Sequence, residues 1–200
     1  MKTFAVLASG NGSNLQAIMD AIKKKKIKAN LKLVLSDKAD AFALERAKKA
    51  KIATIYINPK DFSDREAYDR KVIEYLKESK VDFIVLAGYM RLLSAHFIKQ
   101  YPNRIMNIHP ALLPSFKGIH GIRDAFEYGV KVTGVTVHFV SEEMDAGAII
   151  IQETVKVTQK DTLKTLTKKI HKVEHKVYPQ AIDWFSRQRL KISGRKVLLR

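Results

Sequence analysis

The 200-residue chain contains no cysteine. That excludes disulfides, thiolate metal sites and a cysteine nucleophile. It also lacks any apolar run near the ~20 residues that cross a bilayer. The first apolar stretch, Phe4 to Ala8, is too short for a secretory signal, and no small-residue cleavage pattern follows it. These absences point to a cytoplasmic protein. Acidic residues are scarce: 20 stand against 37 basic ones, a net charge of +17. Residues 156–200 alone hold 13 Lys and Arg against three acids, Asp161, Glu174 and Asp183. Such an excess attracts polyanions, phosphates or polycarboxylates. It equally suits lysine-rich solvated faces. The late basic residues are not interleaved with aromatics, so they do not form a base-stacking platform for nucleic acid.

What is present is a rhythm of short β-rich runs and helical stretches. Phe4–Ala8, Leu31–Ser36, Thr54–Ile57, Phe83–Ala87 and Arg104–Ile108 read as strands. Between them, helices are expected from Ser13, over Ala41–Lys49, from Ser63 to about Glu78, and over Ser94–Gln100. Ser13 with Gln16, and Ser63 with Glu66, have capping-box spacing. Repeated strand–helix–strand units of this length imply a parallel sheet covered on both faces. After Pro110 the rhythm changes. A loop runs over Ala111–Gly121 and a short helix over Ile122–Tyr128. Gly134–Val140 and Ala148–Glu153 then alternate with period two, as an antiparallel addition to the sheet would. Asp161–Arg187 is a long helical stretch that Pro179 should kink or interrupt. The expected fold is α/β: a Rossmann-like, mostly parallel sheet flanked by helices, with an antiparallel C-terminal strand addition, in one domain over 1–200. The tail after Arg187 is strongly basic and its residues suggest no role.

Three segments carry candidate chemistry. Ser9-Gly10-Asn11-Gly12-Ser13-Asn14 lies between the first strand and first helix. Glycines let backbone N–H groups face a ligand, and a helix N-terminus favours an anion. The same residues also suit a tight turn with a capping serine. Gly88-Tyr89-Met90-Arg91-Leu92-Leu93 follows the most apolar strand, where a flat heterocycle could lie; an ordinary loop would read the same way. Asn107-Ile108-His109-Pro110, with Asp145, joins an amide, an imidazole and a carboxylate. An amide and an imidazole can hold an oxyanion, and the imidazole can move protons near neutral pH. If Met106–Ile108 ends a strand, Asn107 and His109 share a face. Asp145 can meet them only through the fold, and it also suits plain turn chemistry. His138 lies in a strand with either face open to it, and His120 lies in the glycine-containing loop. His171 and His175 are four apart on a helix, but the surrounding lysines argue against a metal pair.

These motifs, in this order, resemble the glycinamide ribonucleotide transformylases, folate-dependent enzymes of purine synthesis. The resemblance rests on Ser9–Leu15, Ala87–Arg91, Asn107–Pro110 with Leu112–Pro114, and Gly134–Val140 leading to Met144–Gly147. It spans about residues 1–187. It implies that the ribonucleotide phosphate rests on Gly12, Ser13 and Asn14, and that Glu174 contacts the ribonucleotide. The formyl-folate pocket maps to Arg65, Met90, Arg91, Leu92, Leu93 and Asn107. The catalytic group maps to Asn107, His109 and Asp145. The implied reaction is direct attack of the glycinamide amine on the formyl group of 10-formyltetrahydrofolate, a co-substrate. Asn107 and His109 would stabilise the tetrahedral intermediate, and Asp145 would favour the charged form of His109. No metal, nucleic acid or membrane is implied; a homodimer is the assembly left open. This sequence departs from the pattern locally. Ala111 stands where serine is usual, His171 where some relatives have glutamine, and Phe116–His120 lacks a proline often found before its glycine.

Formyl-folate hydrolases and methionyl-tRNA formyltransferases share much of the site. The first usually carries an extra N-terminal domain, the second a C-terminal RNA-binding domain, and neither is expected in a chain whose first strand begins at Phe4 and whose length is 200. A nucleic-acid binder would explain the charge but not Asn107, His109 and Asp145.

Overall fold

A computed structural model describes residues 1–200. Strand β1 (Lys2–Leu7) leads through helix α1 (Ser13–Lys23) to β2 (Ala29–Ser36), then α2 (Phe42–Lys49) and β3 (Ala53–Tyr56). Helix α3 (Arg65–Glu78) returns the chain to β4 (Phe83–Leu86), and α4 (Ala95–Gln100) leads to β5 (Ile105–His109). Then come α5 (Gly121–Tyr128), β6 (Val132–Phe139), β7 (Ile149–Lys156), α6 (Leu163–Ser186), β8 (Leu190–Ser193) and β9 (Lys196–Leu199).

The strands form one nine-stranded sheet in the order β3-β2-β1-β4-β5-β6-β7-β9-β8. β1 to β5 pair in parallel; β6 runs antiparallel to both β5 and β7. The mostly parallel sheet with an antiparallel addition is therefore present as expected. Residue alternation explains its two covered faces. Phe4, Val6 and Ala8 of the first strand and its end pack into one core with α1, α2 and α6. Ala5 and Leu7 face the other, with Tyr68, Val72 and Leu76 of α3 and Phe97 of α4. A strand buried on both sides must be apolar at every position, and β1 is from Phe4 to Leu7.

Because β1 lies between β2 and β4, the chain winds first toward β3 and then back toward β4. This reversal opens a crevice at the carboxyl ends of β1 and β4, the usual ligand position in such sheets. The two loops there are stitched together. Ser9 N–H donates to the Gly88 carbonyl at 3.0 Å, and Met90 N–H donates to Ser9 Oγ at 2.9 Å.

Several local expectations are corrected. Gly12, not Ser13, is the residue before α1; it has φ +72°, and Ser13 is already helical without a side-chain cap. A Cβ at Gly12 would lie 2.8 Å from Ala43 Cα, so α2 sets where α1 begins. Likewise Asp64 caps α3 by accepting from Ala67 N–H at 2.8 Å, while Ser63 donates to the Asp64 carboxylate. Carboxylate acceptors serve caps at least as well as hydroxyls. Of the kink or interruption expected at Pro179, the interruption is overturned: the 24-residue α6 continues through it. The lost hydrogen bond is outweighed locally: Val177, Tyr178, Ala181 and Ile182 around it are fully buried, and the Tyr178 hydroxyl donates toward Leu86 O (2.7 Å) of β4 and Met106 O (3.0 Å) of β5. Finally, the basic tail forms the β8–β9 hairpin, turning at Gly194 with φ +57° and extending the sheet beyond β7. No helix is long and apolar enough to cross a membrane.

Candidate active site

A cavity of about 750 Å³ occupies the crevice. Its walls come from the loop after β1, the loop after β4, the end of β5, the 118–122 segment, the 138–145 segment and α6.

β5 places Asn107 and His109 two residues apart on one face, while Met106 and Ile108 point into the core. His109 is 3% exposed. Its Nε2 lies 2.7 Å from the Phe116 carbonyl. A carbonyl only accepts, so Nε2 carries the proton of this bond. Its Nδ1 faces Asp145 Oδ2 at 3.5 Å. Asp145 sits at φ +53° in the turn after β6, and its Oδ2 also accepts from Gly118 N–H at 2.9 Å. Thus the turn chemistry expected of Asp145 and its proximity to His109 coexist.

The sequence left His138 without a face; the antiparallel register decides it. Asn107 pairs opposite His138, which is 2% exposed. His138 Nδ1 lies 2.8 Å from the Phe139 carbonyl and must donate to it. In the neutral ring Nε2 is then an acceptor, and Asn107 Nδ2 donates to it at 3.3 Å. This bond fixes the Asn107 amide and leaves its second N–H available. Asp145 Oδ1 lies 3.7 Å from the same Nε2. Burial holds the His138 pKa below its ordinary value, against the upward pull of the Phe139 carbonyl and Asp145.

The unfolded chain protonates His138 near about pH 6.5, whereas the folded protein resists until lower pH. The contribution to stability is complete above about pH 6.5 and is lost as pH falls below it. His171 has the opposite sign: its hydrogen bond to Glu174 raises its pKa, so its contribution holds below about 6.5 and is lost as pH rises. Thermal denaturation from about pH 7 to pH 5 should show a shallower acid-side loss in His138→Gln than in the unsubstituted protein. Equal slopes would remove His138 as the titrating group.

At the other end of the cavity, Gly12, Ser13 and Asn14 form the start of α1. Glu174 of α6 is 4% exposed, and its Oε2 accepts from Asn14 Nδ2 (3.1 Å) and His171 Nδ1 (2.8 Å). His175 stacks behind His171, with ring centroids 6.3 Å apart. Arg65 and Met90 through Leu93 line a further part of the wall. Met90 and Leu92 are exposed there, while the Arg91 guanidinium lies over the Tyr68 ring at 4.5 Å. The residues to which the resemblance gives a role therefore all border one cavity, whereas His120 and His175 lie outside its lining. His138 is the one the sequence failed to select; only strand pairing with Asn107 singles it out.

Residues 2–182 match the family model described as formyl transferase. The chain belongs to the formyl transferase family. This formyltransferase is 48% identical over 187 residues to phosphoribosylglycinamide formyltransferase of Escherichia coli (strain K12), covering 94% of this chain and 88% of that one. It is 47% identical over 183 residues to the trifunctional purine biosynthetic protein adenosine-3 of Drosophila pseudoobscura pseudoobscura, covering 90% of this chain and 13% of that protein. The crystal structure of glycinamide ribonucleotide transformylase 1 from Symbiobacterium toebii superposes with a TM-score of 0.97 at 45% identity, covering 100% of this chain and 94% of that one. The superposition thus runs over the whole length of this formyltransferase, the β8–β9 segment included.

Proposed function

We propose that this formyltransferase moves the formyl group of 10-formyltetrahydrofolate to the amine of 5-phosphoribosylglycinamide, a step of purine biosynthesis. One observation carries the reading. Asn107, His109 and Asp145 converge in the cavity that also holds a helix N-terminus suited to a phosphate and an apolar, arginine-flanked wall suited to a heterocycle.

The phosphate rests on the N–H groups of Gly12, Ser13 and Asn14, which the helix leaves unpaired. Glu174, held by Asn14 and His171, receives donors of the ribonucleotide. Arg65 and Met90–Leu93 take the folate. The ribonucleotide amine then attacks the formyl carbon directly, forming an N–C bond while the carbonyl pair moves to oxygen. The free N–H of Asn107 and the Nε2–H of His109 stabilise that oxyanion. The formyl oxygen takes the place that the Phe116 carbonyl occupies on His109 Nε2. When His109 is doubly protonated, Asp145 accepts from its Nδ1 and supplies the counter-charge. Collapse breaks the C–N10 bond, and the proton lost by the amine reaches N10 through His109, Asp145 and water. Enclosure by the 118–122 and 138–145 segments limits hydrolysis of the formyl group.

Absorbance during incubation with 10-formyltetrahydrofolate tests this reading. Tetrahydrofolate should form only when 5-phosphoribosylglycinamide is added. Formate release without it would instead identify a hydrolase.

A further inference from the structure

α2 lines none of the cavity, yet it controls the loop that begins α1. Ala43 N–H donates to the Gly10 carbonyl at 3.1 Å. One turn later, Arg46 Nε donates to the Asn11 carbonyl at 2.9 Å. Its other nitrogens reach Asn11 Oδ1 and Gln16 Oε1, each at 3.2 Å. Two consecutive carbonyls, of residues 10 and 11, are thus pinned toward α2. Both peptides are trans, so the N–H groups of Asn11 and Gly12 must point the opposite way from those carbonyls. Neither N–H has a backbone partner. Gly12, pressed on Ala43, leaves no room for the loop to rotate toward α2.

We infer that Arg46 is a positioning residue for phosphate recognition: by holding the Asn11 carbonyl and side chain, it orients the Asn11–Gly12 peptide so that its N–H faces an anion. This rests on the phosphate-loop reading given above. The guanidinium matters by geometry as well as by charge, because it grips backbone, amide side chain and α1 at once.

The test compares 5-phosphoribosylglycinamide with its dephosphorylated nucleoside in Arg46→Met, Arg46→Lys and Gly12→Ala variants. Arg46→Met should raise KM for the phosphorylated substrate about tenfold. It should leave kcat and the kcat/KM for the nucleoside within about twofold, so that discrimination between the two shrinks. Arg46→Lys should recover only part of the loss, since an ammonium cannot hold all three acceptors. An equal fall with both substrates would indicate a merely structural role and overturn the inference. Full recovery by Arg46→Lys would assign the effect to charge and do the same. If Gly12→Ala loses phosphate discrimination while Arg46→Met does not, the inference fails and the phosphate-loop reading stands. If neither variant loses it, the phosphate-loop reading itself fails.

Discussion

His109→Ala should lose about a thousandfold in kcat while remaining folded. The imidazole is asked for two things, a donor to the oxyanion and a route for the proton. Either alone is typically worth a hundredfold or more. The KM values should change by no more than about threefold, because the phosphate and heterocycle ends of the cavity do not depend on the ring. Stability should fall by about 2 kcal/mol, from the orphaned Phe116 carbonyl and the cavity left by the buried ring. Asp145→Ala should lose somewhat less turnover, since the imidazole would remain. It also strips the acceptor from Gly118 N–H, so the 116–118 loop should loosen in hydrogen exchange. Steady-state tetrahydrofolate release, with circular dichroism to confirm folding, measures both. Turnover near that of the unsubstituted protein in either variant would remove that residue from the reaction.

Gly147→Ala should be the most destabilising alanine substitution among the nine glycines. Its Cβ would stand 1.7 Å from the Phe139 carbonyl oxygen and 2.7 Å from its carbon, and both are backbone. No rotamer relieves that contact, so the strand ends must separate. The adjacent bond from Phe139 N–H to Ala148 O, 2.9 Å, is in the line of that separation. The expected loss is about 3 kcal/mol, or a Tm drop of roughly 10 °C for a chain of this size. Asp145 lies two residues before Gly147, so kcat should fall with stability even at temperatures where the variant is folded. Differential scanning calorimetry and kinetics at low temperature separate the two effects. An unchanged Tm would mean that the β6–β7 junction tolerates the displacement.

Gly147 also shows what sequence reading misses. Asp145-Ala146-Gly147 reads as ordinary turn chemistry, whereas the glycine is required by how closely β6 and its turn approach each other. Gly12 is parallel. As part of a glycine-rich loop it suggests backbone donors, but that it displaces Ser13 as the first residue of the turn follows from Ala43, 31 residues away.

Local pattern was enough to read the elements as far as the long last helix, the parallel-then-antiparallel rhythm and the placing of Asn107 and His109 on one face. These follow from side-chain period and turn chemistry, which act within a few residues. Which distant groups meet was settled by packing. The order β3-β2-β1-β4 opens the crevice, the β5–β6 register brings His138 opposite Asn107, and the turn after β6 carries Asp145 to His109. Packing also decided that Pro179 lies inside a continuous helix and that the basic tail forms two strands. In each case the deciding interaction joins residues far apart in the chain, and no local pattern encodes which of several compatible partners packing will select.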